Sequence, residues 1–151
     1  MKEVHVECKP DELLVSMLGC QKKMITHHQG KSRVFSALCK TKNQRAMVDE
    51  DPDSPKTSYE KELKLTEESN GIKYYVDKLG NKICFLNGKL EDWIIFTCKQ
   101  HKIKLSNFGL PDNPEELHDI INYRLSNFEK LLNELIEKNV QGIIKLKEWL
   151  N

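Results

Sequence analysis

Arg45-Ala46-Met47-Val48-Asp49-Glu50-Asp51 is a short apolar run that closes on an acid-x-acid pair, and it reads as a β-strand running into a loop. Upstream, Glu3-Val4-His5-Val6-Glu7 alternates polar and apolar and reads as a first short strand. Lys9-Pro10-Asp11-Glu12 then opens a helix, since proline suits a first turn and acids there complement the helix dipole. Leu13, Leu14, Met17 and Leu18 supply its apolar face, and Gly19 is a plausible stop. Met24 to His28 is a second strand. Gln29-Gly30-Lys31-Ser32 leads into a second helix with Val34, Phe35, Leu38 and Cys39 at helical spacing. The order strand, helix, strand, helix, strand implies an α/β chain with a mostly parallel sheet flanked by helices.

Downstream, residues 52–71 are polar and carry Pro52, Pro55 and Gly71. They read as a loop with one helical turn near Tyr59 to Leu63. Lys73 to Asp77 and Lys82 to Leu86 read as two strands of a hairpin across Leu79-Gly80-Asn81. Leu90 to Lys99 reads as a helix with Leu90, Trp93, Ile94 and Thr97 on one side, and Ser106 to Pro114 as a loop. From Pro114 to Leu150 the pattern is helical almost throughout, with Ile121, Leu125, Phe128, Leu132, Leu135 and Ile136 as its apolar stripe and Gly142 as a break. The expected organisation is an α/β unit over residues 1–105 with a C-terminal helical segment, 106–151, packed on the same domain. The stripe is long for so small a core. It either covers the sheet or serves a homodimer or protein partner.

The chain has 151 residues, with 24 Lys and Arg against 23 Asp and Glu, a formal net charge of +1. That balance excludes a broadly basic nucleic-acid coat but not a local site. Apolar runs such as Ile94-Ile95-Phe96 are too short to span a bilayer, and the N-terminus lacks the apolar core of a signal peptide, so a cytoplasmic protein without a membrane partner is expected. Five cysteines, Cys8, Cys20, Cys39, Cys84 and Cys98, are odd in number and widely spaced, which argues against a disulfide framework. Cys98 and His101 form a single C-x-x-H without the second pair a zinc site needs.

In a parallel sheet the carboxyl ends of the strands line one edge, where sites gather. Glu7 closes the first strand and Asp49 and Asp51 close the third, so these acids can converge. Asp49 and Asp51 stand two apart, which in an extended segment points both side chains the same way. Three carboxylates in one place repel, and one takes up a proton unless a cation sits among them. Mg²⁺ is the natural occupant, preferring oxygen ligands and pairing carboxylates with substrate phosphates. An acid-x-acid pair alone is also a common loop element.

Val4-His5-Val6-Glu7-Cys8-Lys9-Pro10-Asp11 resembles the first motif of the Toprim domain, an apolar strand ending in glutamate with an aspartate four residues on. Ala46-Met47-Val48-Asp49-Glu50-Asp51 is similar to the second, an apolar strand ending in D-x-D, and the interval between the two is typical of the family. Cys8 stands where a glycine commonly follows the glutamate, and Pro52 and Asp53 replace the small residues that often follow D-x-D. Leu86-Asn87-Gly88-Lys89-Leu90-Glu91-Asp92-Trp93 looks like a feature of stand-alone, OLD-family nuclease-like Toprim proteins, in which a helix bearing Leu-Glu-x-Trp follows a strand. The resemblance implies a Toprim-like, Rossmann-like fold and Mg²⁺- or Mn²⁺-dependent phosphodiester chemistry on DNA or RNA. Glu7, Asp49 and Asp51 would be both catalytic and metal-binding, with Glu91 a further metal ligand. Glu7 would hold a second ion or act as general acid or base. Proteins of this type often resemble parts of phage defence systems. Glu91 has a plainer reading as a helix N-terminal acid complementing the dipole.

His27-His28-Gln29-Gly30-Lys31-Ser32 brings a glycine, a cation and a hydroxyl to a helix start, which can hold a phosphate; Lys31 and Arg33 are the phosphate-binding candidates. It is not a Walker motif, and a plain strand-to-helix turn capped by Ser32 reads equally from the residues. Tyr74 and Tyr75 suit hairpin packing better than transesterification, and Trp93 and Trp149 suit a core or interface. His118 reads as a surface or packing residue of an amphipathic helix rather than a metal ligand. Two functions are carried forward: a small metal-dependent nuclease or phosphotransferase, and a non-catalytic Toprim-like subunit or sensor module of a larger complex. A receiver-like domain is disfavoured, because it expects the acid pair after the first strand rather than the third.

Overall fold

The computed structural model describes residues 2–151. Six strands form one sheet in the order β2-β1-β3-β6-β5-β4. They are β1 (Val4–Val6), β2 (Ile25–His27), β3 (Arg45–Asp49), β4 (Lys64–Ser69), β5 (Ile72–Val76) and β6 (Lys82–Leu86). β2, β1, β3 and β6 run parallel, and β5 and β4 close one side antiparallel. The result is a mostly parallel α/β sheet with helices on both faces, consistent with a Rossmann-like fold.

Strand alternation sorts the residues between the two faces. Val4, Val6, Met47, Cys84 and Leu86 face a core built with α1 (Lys9–Met17), α4 (Leu90–Gln100), α5 (Pro114–Ile120), α6 (Leu125–Glu137) and α7 (Gln141–Leu150). Ala46, Val48, Ile83 and Phe85 face a smaller core built with α2 (Lys31–Leu38) and α3 (Ser58–Lys61). Phe128, Leu131, Leu132 and Leu135 of α6 are all buried, so the C-terminal stripe is turned into the larger core. That core runs without a break from Val4 to Leu150.

Four local expectations are corrected. Residues 52–71 are not all loop, since Lys64–Ser69 forms β4. β4 lies at the sheet edge and buries none of its residues, so its only large apolar side chain, Leu65, stays 49% exposed and the sequence shows no alternation. The C-terminal segment is helical almost throughout, as expected, with a tight 3-10 turn at Ile121–Tyr123 between α5 and α6. The break before α7 falls at Asn139, whose φ is +52°, and not at Gly142. Gly142 lies within α7, where an added Cβ would come within 3.3 Å of Asn70 and 3.6 Å of Trp93. Ser32 is not the cap of α2; that position belongs to Gly30, at φ +107°. The Ser106–Pro114 loop begins within a 3-10 turn at Leu105–Phe108.

Candidate acidic site at the carboxyl edge

β1 is flanked by β2 on one side and β3 on the other, so the chain leaves their carboxyl ends in opposite directions across the sheet. The gap between the ends of β1 and β3 is therefore a topological switch point, where α/β sheets form their crevices. Glu7 and Asp49 meet there, the Asp49 amide donating to Glu7 Oε2 at 2.8 Å. Asp49 in turn accepts from the Leu90 amide through Oδ1 at 3.0 Å, which ties the end of β3 to the first turn of α4.

Two more acids close on this pair. Asp11 comes from the first turn of α1 and is 1% exposed; neither of its carboxyl oxygens has a fully formed hydrogen bond, the Cys8 thiol and the Glu7 backbone being the donors beside it. Glu91 comes from the first turn of α4 and is 6% exposed. His118 Nδ1 of α5 meets its Oε1 at 3.1 Å. A groove of about 630 Å³ between the starts of α4 and α5 opens onto Glu91 and His118.

Crowding and burial raise the affinity of Asp11, Asp49 and Glu7 for protons. Asp11 is pushed up to about 7, first by burial, against the opposing pull of the Cys8 thiol, and then by the charges of Glu7 and Glu91. Asp49 is pushed up to about 8, again first by burial and then by Asp11, Glu7 and Glu91. Burial also raises Glu7, against the opposing pull of the Asp49 amide and Lys31. The set is all oxygen and strongly acidic, which matches a hard divalent cation, and the Asp11 oxygens, without a fully formed hydrogen bond, are those such an ion or its waters would satisfy. Among the described residues, no three His, Cys, Asp or Glu side chains converge as they stand on one metal position. Ligation therefore requires side-chain rotation, first of all at Asp49, whose Oδ1 is held by α4.

Asp51 departs from its expected place. The strand ends at Asp49, and Asp51 adopts φ +47°, so the two side chains no longer share the direction that an extended segment would give them. Asp51 Oδ2 accepts instead from Ser54 Oγ at 2.7 Å, and its carboxylate borders a cavity on the α3 face. Its charge still reaches Glu7.

Lys31 spans the end of β3. Its Nζ donates to the carbonyls of Asp49 at 3.2 Å and Glu50 at 2.9 Å and pairs with Glu60 at 3.5 Å. The ammonium is thus engaged by the fold, whereas Arg33 is exposed on the first turn of α2. Beside them, His5 and His28 share a hydrogen bond at 2.9 Å, and His27 Nε2 donates to the Glu7 carbonyl at 3.1 Å.

Asp11 and His118 are the residues that the sequence left outside the site. Asp11 had a signal in its spacing of four from Glu7. His118 had none, because its approach to Glu91 depends on how α5 packs on α4. Tyr74 is fully buried against Trp149, with ring centres 4.9 Å apart, in keeping with a packing role. Among the described residues no helix is long and apolar enough to cross a membrane. The chain matches no family model, no curated protein and no solved structure.

Proposed function

We propose that this protein is a Toprim-like, metal-dependent enzyme acting on phosphodiester bonds of nucleic acid. The observation that carries the reading is the placing of Glu7, Asp11, Asp49 and Glu91, from β1, α1, β3 and α4, near enough at the switch point of the sheet to raise the proton affinity of Asp11 and Asp49, with Glu7 and the Asp49 amide in direct contact. Mutual repulsion in a desolvated place favours either protonation or a cation, and the Toprim-like motifs around Glu7 and Asp49 favour Mg²⁺ or Mn²⁺. When bound, the ion would neutralise charge on the phosphoryl oxygens and make an attacking water more acidic. Asp49 and Asp11 would hold it, and Glu91 would complete the set from α4. Glu7, fixed by the Asp49 amide, would hold a second ion or carry a proton to or from the phosphodiester oxygen. Asp51 would act from outside the first ring of ligands.

Calorimetric titration with Mg²⁺ and Mn²⁺ tests the reading. Binding by the wild type that is lost in Asp49→Asn and Asp11→Asn, but kept in Asp51→Asn, is the expected result. Unchanged binding in all three variants would sink it. With Mn²⁺, cleavage of single- or double-stranded DNA or RNA should follow the same order.

A second reading has its own support. Lys31 is engaged by backbone carbonyls and Glu60, and Asp51 is turned to Ser54, which suits a Toprim-like module without activity that works inside a larger complex. Metal binding without cleavage of any of those substrates would favour it.

A further inference from the structure

A second cavity, of about 240 Å³, lies across the sheet from the acids, on the α3 face of the same edge. Its apolar lining is Leu63, Phe85 and Tyr75, the two rings forming a T-shaped pair with centres 5.2 Å apart. Lys31 Nζ stands 5.8 Å over the Phe85 ring, so of the two lining rings Tyr75 is the better candidate for a stacking partner. Two lysines, Lys56 and Lys73, and three acids, Glu50, Asp51 and Glu60, also line it, with Lys73 Nζ paired to Glu50 Oε2 at 2.8 Å.

The lining narrows the choice of ligand. A bare anion is disfavoured by the carboxylates, and a metal ion by the aromatic rings. A lipid chain is disfavoured by the charged side chains. The volume falls below the range of pockets for drug-sized ligands, so a single flat ring system fits better than an extended one. Aromatic platforms hold nucleobases through stacking that tolerates any sequence, while carboxylates accept from the amino groups of base edges and lysines contact phosphate. The cavity is also tied to the acids by covalent structure. Glu50 and Asp51 of its rim directly follow Asp49, and two residues of chain span at most about 7 Å.

We propose that this cavity receives one unpaired nucleobase, stacked on Tyr75 and read by Glu50, with Lys56 on its phosphate. The inference rests on the proposed action on nucleic acid and deepens it: the substrate strand must be single-stranded, or opened, beside the phosphodiester that reacts. Bases bearing an amino group suit Glu50 better than uracil does.

The test is an NMR amide-shift titration of the metal-free wild-type protein in EDTA. The probes are the four ribonucleoside 5′-monophosphates and, separately, a short single-stranded oligonucleotide. Shifts should cluster at residues 50–56 and 73–75. GMP, AMP and CMP should each bind at least about fivefold more tightly than UMP. Tyr75→Ala should weaken AMP at least about fivefold. Lys56→Ala, in an exposed loop, should weaken AMP but leave adenosine unchanged, which guards against a folding defect in the Tyr75 variant. Tighter binding of the oligonucleotide than of any mononucleotide would assign the base to a strand, and the reverse would assign the cavity to a free nucleotide and overturn the link to the substrate. Absence of shifts at these residues with every probe, or equal affinities in wild type and both variants, overturns the inference. Metal binding at the acids without nucleotide shifts at the cavity would overturn this inference alone. Nucleotide shifts without metal binding would support the cavity and overturn the metal-dependent function.

Discussion

Asp11 is a carboxyl that is 1% exposed and has no fully formed hydrogen bond, only the Cys8 thiol and the Glu7 backbone beside it. An acid in a helix first turn needs no special account, but a buried one without a fully formed hydrogen bond does. Its folded-state proton affinity lies above the ordinary value of 3.8, at about 7, chiefly through burial. The stability it contributes is therefore complete below about pH 4 and is lost as pH rises through about 7, where the folded chain must release a proton that the unfolded chain has already released. Metal-free wild-type protein should accordingly melt lower at pH 8 than at pH 5. Asp11→Asn keeps the shape and never ionises, so its melting temperature should fall less over the same interval. For a chain of this length each kcal/mol corresponds to about 2–4 °C. Thermal unfolding followed by circular dichroism at the two pH values decides the matter; parallel behaviour of the two proteins would show that Asp11 titrates as an ordinary acid.

Among the elements, the turn between β5 and β6 is more than a hairpin. Asn81 is fully buried, and its Nδ2 donates to the Leu38 carbonyl at 2.9 Å, the Thr41 carbonyl at 3.0 Å and Asp77 Oδ2 at 2.8 Å. Its Oδ1 accepts from the Gln44 amide at 2.8 Å. One side chain thus joins the end of α2, the entry to β3 and the turn itself. Asn81→Ala would leave the Thr41 carbonyl and the Gln44 amide without their partner, at about 1–3 kcal/mol each where water cannot replace it, while the Leu38 carbonyl keeps the Thr41 amide. A loss of about 3 kcal/mol in urea unfolding is expected, and a loss below 1 kcal/mol would mean that water fills the gap. The sequence shows Asn81 as a turn residue, yet its partners 40 and 43 positions away are set by packing, which no local pattern encodes. The same limit explains the other differences. β1, β3 and β6 were legible because burial gives strands an apolar signature, and Glu7 and Asp49 were legible because strand ends fix their edge. β4 was hidden because an edge strand needs no apolar face. Asp51 was misplaced because its left-handed backbone follows from the 51–54 turn, where Asp51 accepts from Ser54 and the Ser54 amide donates to the Asp51 carbonyl. Asn139 and Gly142 exchanged roles because asparagine also tolerates positive φ, while a glycine can serve close packing instead.

For the whole molecule, a net charge of +1 conceals an uneven distribution. Four carboxyls crowd the switch point, and the nearest ammonium, that of Lys31, is bound to carbonyls and Glu60. Such an edge repels a phosphate backbone until something reverses its sign, and a proton and a divalent cation compete for that role. The competition makes the effect of metal on folding depend on pH. Near pH 6 the raised groups Asp11 and Asp49 hold protons, and an ion must displace them to bind. Near pH 8.5 they have been released at a cost to stability, and an ion recovers it. A cation present at tenfold its dissociation constant stabilises the fold by about 1.4 kcal/mol, which for this length is ~3–6 °C in melting temperature. Addition of Mn²⁺ should therefore raise the melting temperature by that amount at pH 8.5 and by clearly less at pH 6. Asp49→Asn should remove the rise at the higher pH, and Asp51→Asn should keep most of it, since Asp51 faces Ser54. A rise of equal size at both pH values, or one that survives Asp49→Asn, would place the ion elsewhere on the molecule and leave the acids as a purely proton-linked feature of the fold.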